Sequence, residues 1–203
     1  MVNVTTKVYS PPPFLQKEAR RYAGIRGASD ECETLIEKAY GELSGEITYK
    51  VCYKEFPVTI KGDVCDFSEF SVVSATLSRT LAECESAIIF IATIGLSADR
   101  IISKYTRTSP ALALILDAVG TERIEALCDA FNNDIREAYP SITRRFSPGY
   151  SDLPLEMQTN IFKSLNPERH IGVFLSDTLL MSPMKSVSAI IGIKKNNVTR
   201  VTM

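Results

Sequence analysis

Apolar positions recur along this chain with two periods, and each change of period marks a new element. Phe14 to Ala23 reads as a short helix ended by Gly24, with Leu15, Ala19 and Tyr22 on one face. Ser29 or Asp30 caps a second helix, where Glu33 stands three after Asp30 as in a capping box. Leu35, Ala39 and Leu43 form its apolar stripe and Gly45 ends it. From Glu46 to Phe56 the period drops to two. Ile47, Tyr49, Val51 and Tyr53 alternate with Thr48, Lys50 and Cys52, which predicts a half-buried strand. Pro57 to Ile60 and Val64 to Phe67 predict two short strands across a Lys61-Gly62-Asp63 turn. Ser71 to Glu83 reads as a helix carrying Val73, Leu77 and Leu81.

The unbroken apolar run Ala87 to Ala92, within Glu85 to Gly95, predicts a strand central in the sheet. Leu96 to Tyr105 is a further helix. Pro110 sits in the first turn of the longest one, which runs to about Ala138. The first half of that helix, to Val119, is nearly all apolar, the pattern of a buried helix. Gly120 in its middle predicts a close approach by another element. Pro154 to about Leu165 is helical, Ile171 to Leu175 and Thr178 to Met181 are strand-like, and Ser186 to Ile193 is an apolar strand. Helices and strands mix without a strict βαβ repeat. The expected class is therefore α+β, a twisted antiparallel or mixed sheet flanked by helices. One domain over residues 1–203 is expected, with an extended lead-in through Pro13 and no evident role for Asn196 to Met203.

Charge and composition narrow the functions. The chain has 203 residues and a formal net charge of −1, so nothing draws it globally to nucleic acid or an anionic membrane. No apolar run approaches the roughly 20 residues that span a bilayer. Met1 to Ser10 lacks a basic stretch followed by an apolar one, so no signal peptide is expected. Five widely spaced cysteines and one histidine give no Cys/His zinc pattern. They suit buried, reduced thiols in a cytoplasmic protein. No glycine-rich phosphate cradle is present. A nucleophilic triad would have to use His170, within the apparent polar turn Asn166 to His170.

The candidate chemistry gathers at Arg145-Phe146-Ser147-Pro148-Gly149-Tyr150. Proline followed by glycine fixes a turn whose backbone groups can read a polar ligand. Arginine on one flank can hold a carboxylate, and tyrosine on the other adds a ring and a hydroxyl. On the long helix, Asp117, Glu122, Glu125 and Asp129 form an acidic row. Glu125 is the member best placed to hold an amino group or ribose hydroxyls by charge-assisted bonds. A Glu/Arg pair suits an amino-acid-like ligand.

Two stretches carry a family resemblance. Arg145 to Tyr150 followed by Pro154 resembles R-x-x-P-G-Y-x-x-x-P, and Gly172 to Pro183 with Lys185 to Ser188 resembles G-x-x-L-T-x-S-x-x-M-x-P and S-V-S. Both are similar to the activation domain of cobalamin-dependent methionine synthase, which binds S-adenosylmethionine. Leu116 to Ile135 resembles that domain's long helix, and Glu125 falls on a ligand-binding glutamate. Before residue 85 there is almost no resemblance.

The resemblance implies a C-shaped α+β domain with S-adenosylmethionine held along the turn by Glu125, Arg145, Ser147, Pro148, Gly149 and Tyr150. It implies a cobalamin carried by a partner corrinoid-binding methionine synthase chain, and a flavodoxin-like or other reductant. Such a module presents S-adenosylmethionine for reductive methylation of cob(II)alamin. The sequence departs from the family in three places. Leu153-Pro154-Leu155-Glu156 stands where the family has Cys-Pro-x-His. An early ligand-binding aspartate and a tyrosine-bearing hairpin after S-V-S have no counterpart. A D-x-H-x-x-G cobalamin signature is also missing. The expected protein is a stand-alone reactivation module of a split methionine synthase. The alternatives are a binding or regulatory module of the same fold, or an activator of another corrinoid methyltransferase.

Overall fold

The computed structural model describes residues 3–27 and 29–195. The first elements are β1 Thr5–Tyr9, α1 Gln16–Tyr22, α2 Asp30–Ser44 and β2 Tyr49–Pro57. Three short strands follow, β3 Thr59–Lys61, β4 Val64–Asp66 and β5 Ser71–Val73, and then α3 Ala75–Leu81. The middle of the chain forms β6 Cys84–Thr93, α4 Leu96–Thr106 and α5 Pro110–Ala138. The last part forms α6 Met157–Leu165, α7 Pro167–Ile171, β7 Phe174–Leu175, β8 Met181–Ser182 and β9 Ser186–Lys194. The main sheet has the order β1-β2-β6-β9, with every neighbouring pair antiparallel. β3-β4-β5 and β7-β8 make two smaller antiparallel sheets. The fold is α+β, antiparallel sheets flanked by helices, as expected.

β6 is an inner strand because almost nothing on it is polar, and alternate residues serve different cores. Ile88, Phe90 and Ala92 join one cluster with α2 and α5. Ala87, Ile89 and Ile91 join the other with α3 and α6. β2 divides in the same way, with Tyr49 and Val51 on the first side and Cys52 and Phe56 on the second. β2 is thus covered on both faces, not half-buried as its alternation predicted. Each large side chain buried this way contributes roughly 1.5–3 kcal/mol.

Several elements differ from the sequence reading. Residues 71–83 are not one helix: Ser71–Val73 is a strand paired with β4, and the helix starts after Ser74. The Ser74 hydroxyl accepts the Leu77 N–H at 3.0 Å, so the cap fixes that start, and Val73 is exposed instead of in the stripe. The lead-in is partly an edge strand, β1, pairing Thr5 with Tyr53 and Tyr9 with Tyr49. Asn166 to His170 is not a plain turn, because Pro167 opens the short helix α7. His170 on it is exposed, its Nδ1 3.4 Å from Thr6 Oγ1. Ser29, not Asp30, caps α2, and Glu33 pairs with Arg20 at 2.6 Å. Leu15 is exposed, whereas Ala19 is buried as expected.

The helix α5 holds a charge that the apolar pattern does not explain. Arg123 is 0% exposed and Glu122 2%. The Arg123 guanidinium donates to Glu122 at 2.5 and 2.7 Å, to the Pro12 carbonyl at 2.7 Å and to the Pro13 carbonyl at 2.7 Å. Glu122 also accepts the Leu15 N–H at 3.1 Å. The rings of Phe14 and Tyr40 stack 4.1 Å apart, with Arg123 over both. This network ties the triple-proline segment to the long helix. Gly120 admits the close approach that its position predicts: a Cβ there would meet the Lys185 stem at 3.2 Å. Lys185 pairs with Asp117 at 2.8 Å and donates to Thr121 at 3.0 Å.

All five cysteines are free thiols, and four are buried. Burial pushes Cys52 and Cys128 up to about 12 and Cys65 up to about 11.

Two outcomes are expected. Arg123→Met, which leaves Glu122 buried without its partner, lowers unfolding free energy by about 3–5 kcal/mol, read from urea denaturation. Stability also falls with rising pH. In the unfolded chain the thiols ionise near pH 9, while the buried ones stay protonated until about 12. Their contribution is complete below pH 9 and is lost between these values, roughly 1 kcal/mol per thiol by pH 10. Urea midpoints at pH 8 and pH 10 under reducing conditions check this; equal midpoints contradict it.

Candidate functional site

Beyond α5 the chain turns back along the free edge of β9. Ile142 and Phe146 bridge to Ile193 and Ile190. Phe146 exchanges both backbone bonds with Ile190, at 3.0 and 2.9 Å, and the Thr143 N–H donates to the Gly192 carbonyl at 2.9 Å. Backbone polar groups alternate in direction along an extended segment, so the N–H and C=O of Arg145 face away from β9. Among the described residues neither has a backbone partner.

The turn follows directly. The Tyr150 N–H donates to the Ser147 carbonyl at 3.2 Å, with Pro148 second and Gly149 third, at φ +84°. Glycine in that place suits a type II turn. The Gly149 N–H donates to the Leu153 carbonyl at 2.9 Å, and the Leu153 N–H to the Tyr150 carbonyl at 3.1 Å. Ser151 also has positive φ, +55°, so Tyr150 stands between two sharp bends. Its ring meets Phe146 edge-on at 5.6 Å, yet it is 68% exposed. Pro148 is buried and Leu153 packs into the core with Met157 and Ile161.

Arg145 and Glu125, which the sequence could only nominate separately, meet here. Arg145 Nη2 lies 3.1 Å from Glu125 Oε2 and 2.9 Å from Asp129 Oδ1. Glu125, Cys128 and Asp129 share one face of α5 at spacings of three and four. Burial lowers the Arg145 pKa, but Cys128, Glu125 and Asp129 together raise it above its ordinary value. A cleft of about 250 Å³ opens between Glu125, Arg145, Ser147, Tyr150 and Val187. Val187 belongs to the second sequence stretch, so the two stretches converge on one cleft. A larger cleft, about 600 Å³, shares Arg145 and Tyr150 and is lined further by Thr80, Thr143, Arg144 and Lys194. Its volume is that of an ordinary small-molecule site. The turn thus forms a wall common to both.

The family model of the vitamin B12 dependent methionine synthase activation domain matches residues 82–198. The chain belongs to this family. Its activation-domain fold is seen again in the crystal structure of the MetH reactivation domain bound to AdoHcy. The two agree with a TM-score of 0.72 at 16% identity, over 96% of this chain and 79% of that one. No curated protein matches this chain in sequence. The structural likeness therefore takes in the first 80 or so residues, where the sequence shows almost none.

Within this activation domain three pairings of the site escape the sequence reading, although Asp129 itself stands in the acidic row. Asp129 shares Arg145 with Glu125. Tyr22 lies near Glu125: burial first, and then that carboxylate, raise its phenol above the usual value. Asp152, just past the turn, binds the start of α3. Helical spacing from Glu125 was a signal for Asp129; nothing in the sequence joins Asp152 to α3. A separate cleft of about 380 Å³ lies between β1, β2 and the C-terminal half of α5. There Tyr9 donates to Asp134, and Tyr139 to Glu55 at 3.0 Å.

The turn depends on Gly149. Alanine there would hold a left-handed conformation with its Cβ 3.2 Å from Leu155 Cδ1. Gly149→Ala is expected to destabilise the protein by about 1–2 kcal/mol, measured by urea denaturation. No change would exclude the turn conformation described.

Proposed function

We propose that this activation domain binds S-adenosylmethionine along the Arg145 to Tyr150 turn and presents its methyl group to a corrinoid held by a separate chain. The carrying observation is the Glu125–Arg145 pair, 3.1 Å apart at the wall of the smaller cleft, with Arg145 lining the larger one as well. One carboxylate and one guanidinium match the ammonium and carboxylate of an amino acid, each through charge-assisted bonds. The outward N–H and C=O of Arg145 offer a strand edge to the rest of the ligand. Ser147, Pro148 and Gly149 fix the course of that edge, and Tyr150 supplies an exposed ring beside it.

When bound, S-adenosylmethionine would supply a methyl on a sulfonium, already activated for transfer to cob(II)alamin with one electron from a flavodoxin-type reductant, and S-adenosylhomocysteine would be the leaving group. The protein's part is placement. It orients the methionyl end with Glu125 and Arg145, which leaves the exposed side of the turn for the partner. In this reading the chain is the reactivation module of a split cobalamin-dependent methionine synthase, or the activator of another corrinoid methyltransferase.

One observation favours a second reading. Arg145 is already shared by Glu125 and Asp129, a set that needs no ligand to be complete. A binding or regulatory module that transfers no methyl group would keep such a set as structure.

Calorimetric titration with S-adenosylmethionine, alone and with the corrinoid partner, separates these readings. Binding is expected, with Arg145→Lys and Glu125→Gln each weakening it roughly 10- to 100-fold, the loss of a charge-assisted bond of about 1.5–3 kcal/mol. Absence of binding in both settings overturns the proposal. Binding without methyl transfer to the corrinoid favours the second reading.

A further inference from the structure

Asp152 lies two residues beyond Tyr150 and makes its bonds far from the turn in sequence. Its carboxylate accepts the Ser74 hydroxyl at 2.7 Å, the Ala75 N–H at 2.7 Å and the Thr76 N–H at 3.2 and 3.3 Å. Next to it, Ser151 Oγ lies 3.1 Å from Thr76 Oγ1. The helix α3 already has an internal cap, because Ser74 Oγ accepts the Leu77 N–H. The Ala75 and Thr76 N–H groups would otherwise face solvent, so the helix does not need Asp152 in order to start. The turn has greater need of it. Gly149 and Ser151 hold φ of +84° and +55° on either side of Tyr150. A left-handed serine persists only where its surroundings over-determine it. On the N-terminal side, Phe146 bonded to Ile190 fixes the turn. On the C-terminal side, the bonds of Asp152 and Ser151 to α3 hold it.

We infer that Asp152 is a positioning residue of the ligand cradle, locking the Ser147 to Tyr150 turn to the start of α3. This rests on the reading of the turn as a binding site, and it adds a residue outside the Arg145 to Tyr150 stretch. The lock extends further, because the Ser74 N–H donates to the Asp63 carbonyl at 2.9 Å in the turn between β3 and β4. Hydrogen bonds, first from Ser74 and then from Thr76 and Ala75, hold the Asp152 carboxyl down at about 2. The carboxylate therefore keeps its charge throughout the range in which the protein would work.

The test uses the full chain labelled with ¹⁵N and carrying Asp152→Ala or Asp152→Asn. Amide shifts and hydrogen exchange are read at Ala75, Thr76, Gly149 and Tyr150, with amides of β2 and β6 as the fold control. S-adenosylmethionine affinity is measured in parallel. Asp152→Ala is expected to shift the Gly149 and Tyr150 amides, raise exchange at Ala75 and Thr76 and weaken binding about tenfold, with β2 and β6 unchanged. Asn keeps one acceptor oxygen for the helix amides and is expected to restore most of each effect. Loss of protection at Ala75 and Thr76 with Gly149 and Tyr150 unmoved overturns the inference, since Asp152 would then cap α3 and nothing more. Affinity unchanged in Asp152→Ala overturns it equally. If the unaltered protein binds no S-adenosylmethionine, the binding reading fails, and the Gly149 and Tyr150 amides still decide the positioning role. If Asp152→Ala does not fold, Asp152→Asn decides: unmoved turn amides together with unprotected Ala75 and Thr76 overturn the role.

Discussion

A guanidinium with no access to water must find partners inside the protein, and Arg123 does so in a way that fixes much of this molecule. An unpaired buried charge costs several kcal/mol, far more than a surface ion pair returns. Arg123 meets that demand with the neighbouring Glu122 and two backbone carbonyls from the proline run. Those carbonyls are available because a proline segment is extended and has no internal hydrogen bonds. The demand therefore draws the N-terminal segment onto α5 and sets Phe14 on Tyr40. It also fixes how α5 is rotated. With Glu122 and Arg123 turned inward, Glu125 and Asp129 fall on the side of α5 where Arg145 arrives.

The two arginines show how place decides the use of one chemical group. Arg123 is enclosed, paired with one carboxylate and sealed by two rings. Arg145 is at the wall of a cleft, where two carboxylates on α5 share a single nitrogen. The first arrangement holds elements together. The second leaves guanidinium hydrogens and carboxylate oxygens with capacity for more bonds, the condition for exchanging internal partners for those of a ligand. Three charged side chains with a net charge of −1 also suit a ligand whose sulfonium and ammonium outweigh its carboxylate.

The sequence was most informative where a run was long and uniform. β6, β9 and α5 were legible because apolar residues continue past the point where helix and strand compete. Short elements were harder. Val72 and Val73 fit a helical stripe as well as a three-residue strand, and the cap at Ser74 decided between them. The site was legible in its local part: the turn lay in a Pro-Gly pair, and Glu125 in a helical acidic row. Its non-local part was hidden. Asp152 reaches Ser74 across 78 residues and Arg123 reaches Pro12 across 111, and neither pairing leaves a periodic trace. Glu122 even misleads, because it reads as one more charge of the acidic row until its buried partner Arg123 is known.

The division of β6 between two cores bears on how such a domain diverges. The family match begins at residue 82, where β6 is about to start, while the likeness in shape reaches back almost to the beginning of the chain. β2 joins β6 through ladder bonds made by the backbone alone, which any residue except proline can supply. What lies outside β6 needs only to offer a strand of matching length and an apolar face of matching parity. The first two fifths of the chain can therefore differ in identity wherever these ladder bonds, and not side chains such as those around Arg123, set the geometry. β6 acts as a seam: family sequence on one side, and on the other a shared shape written in different letters.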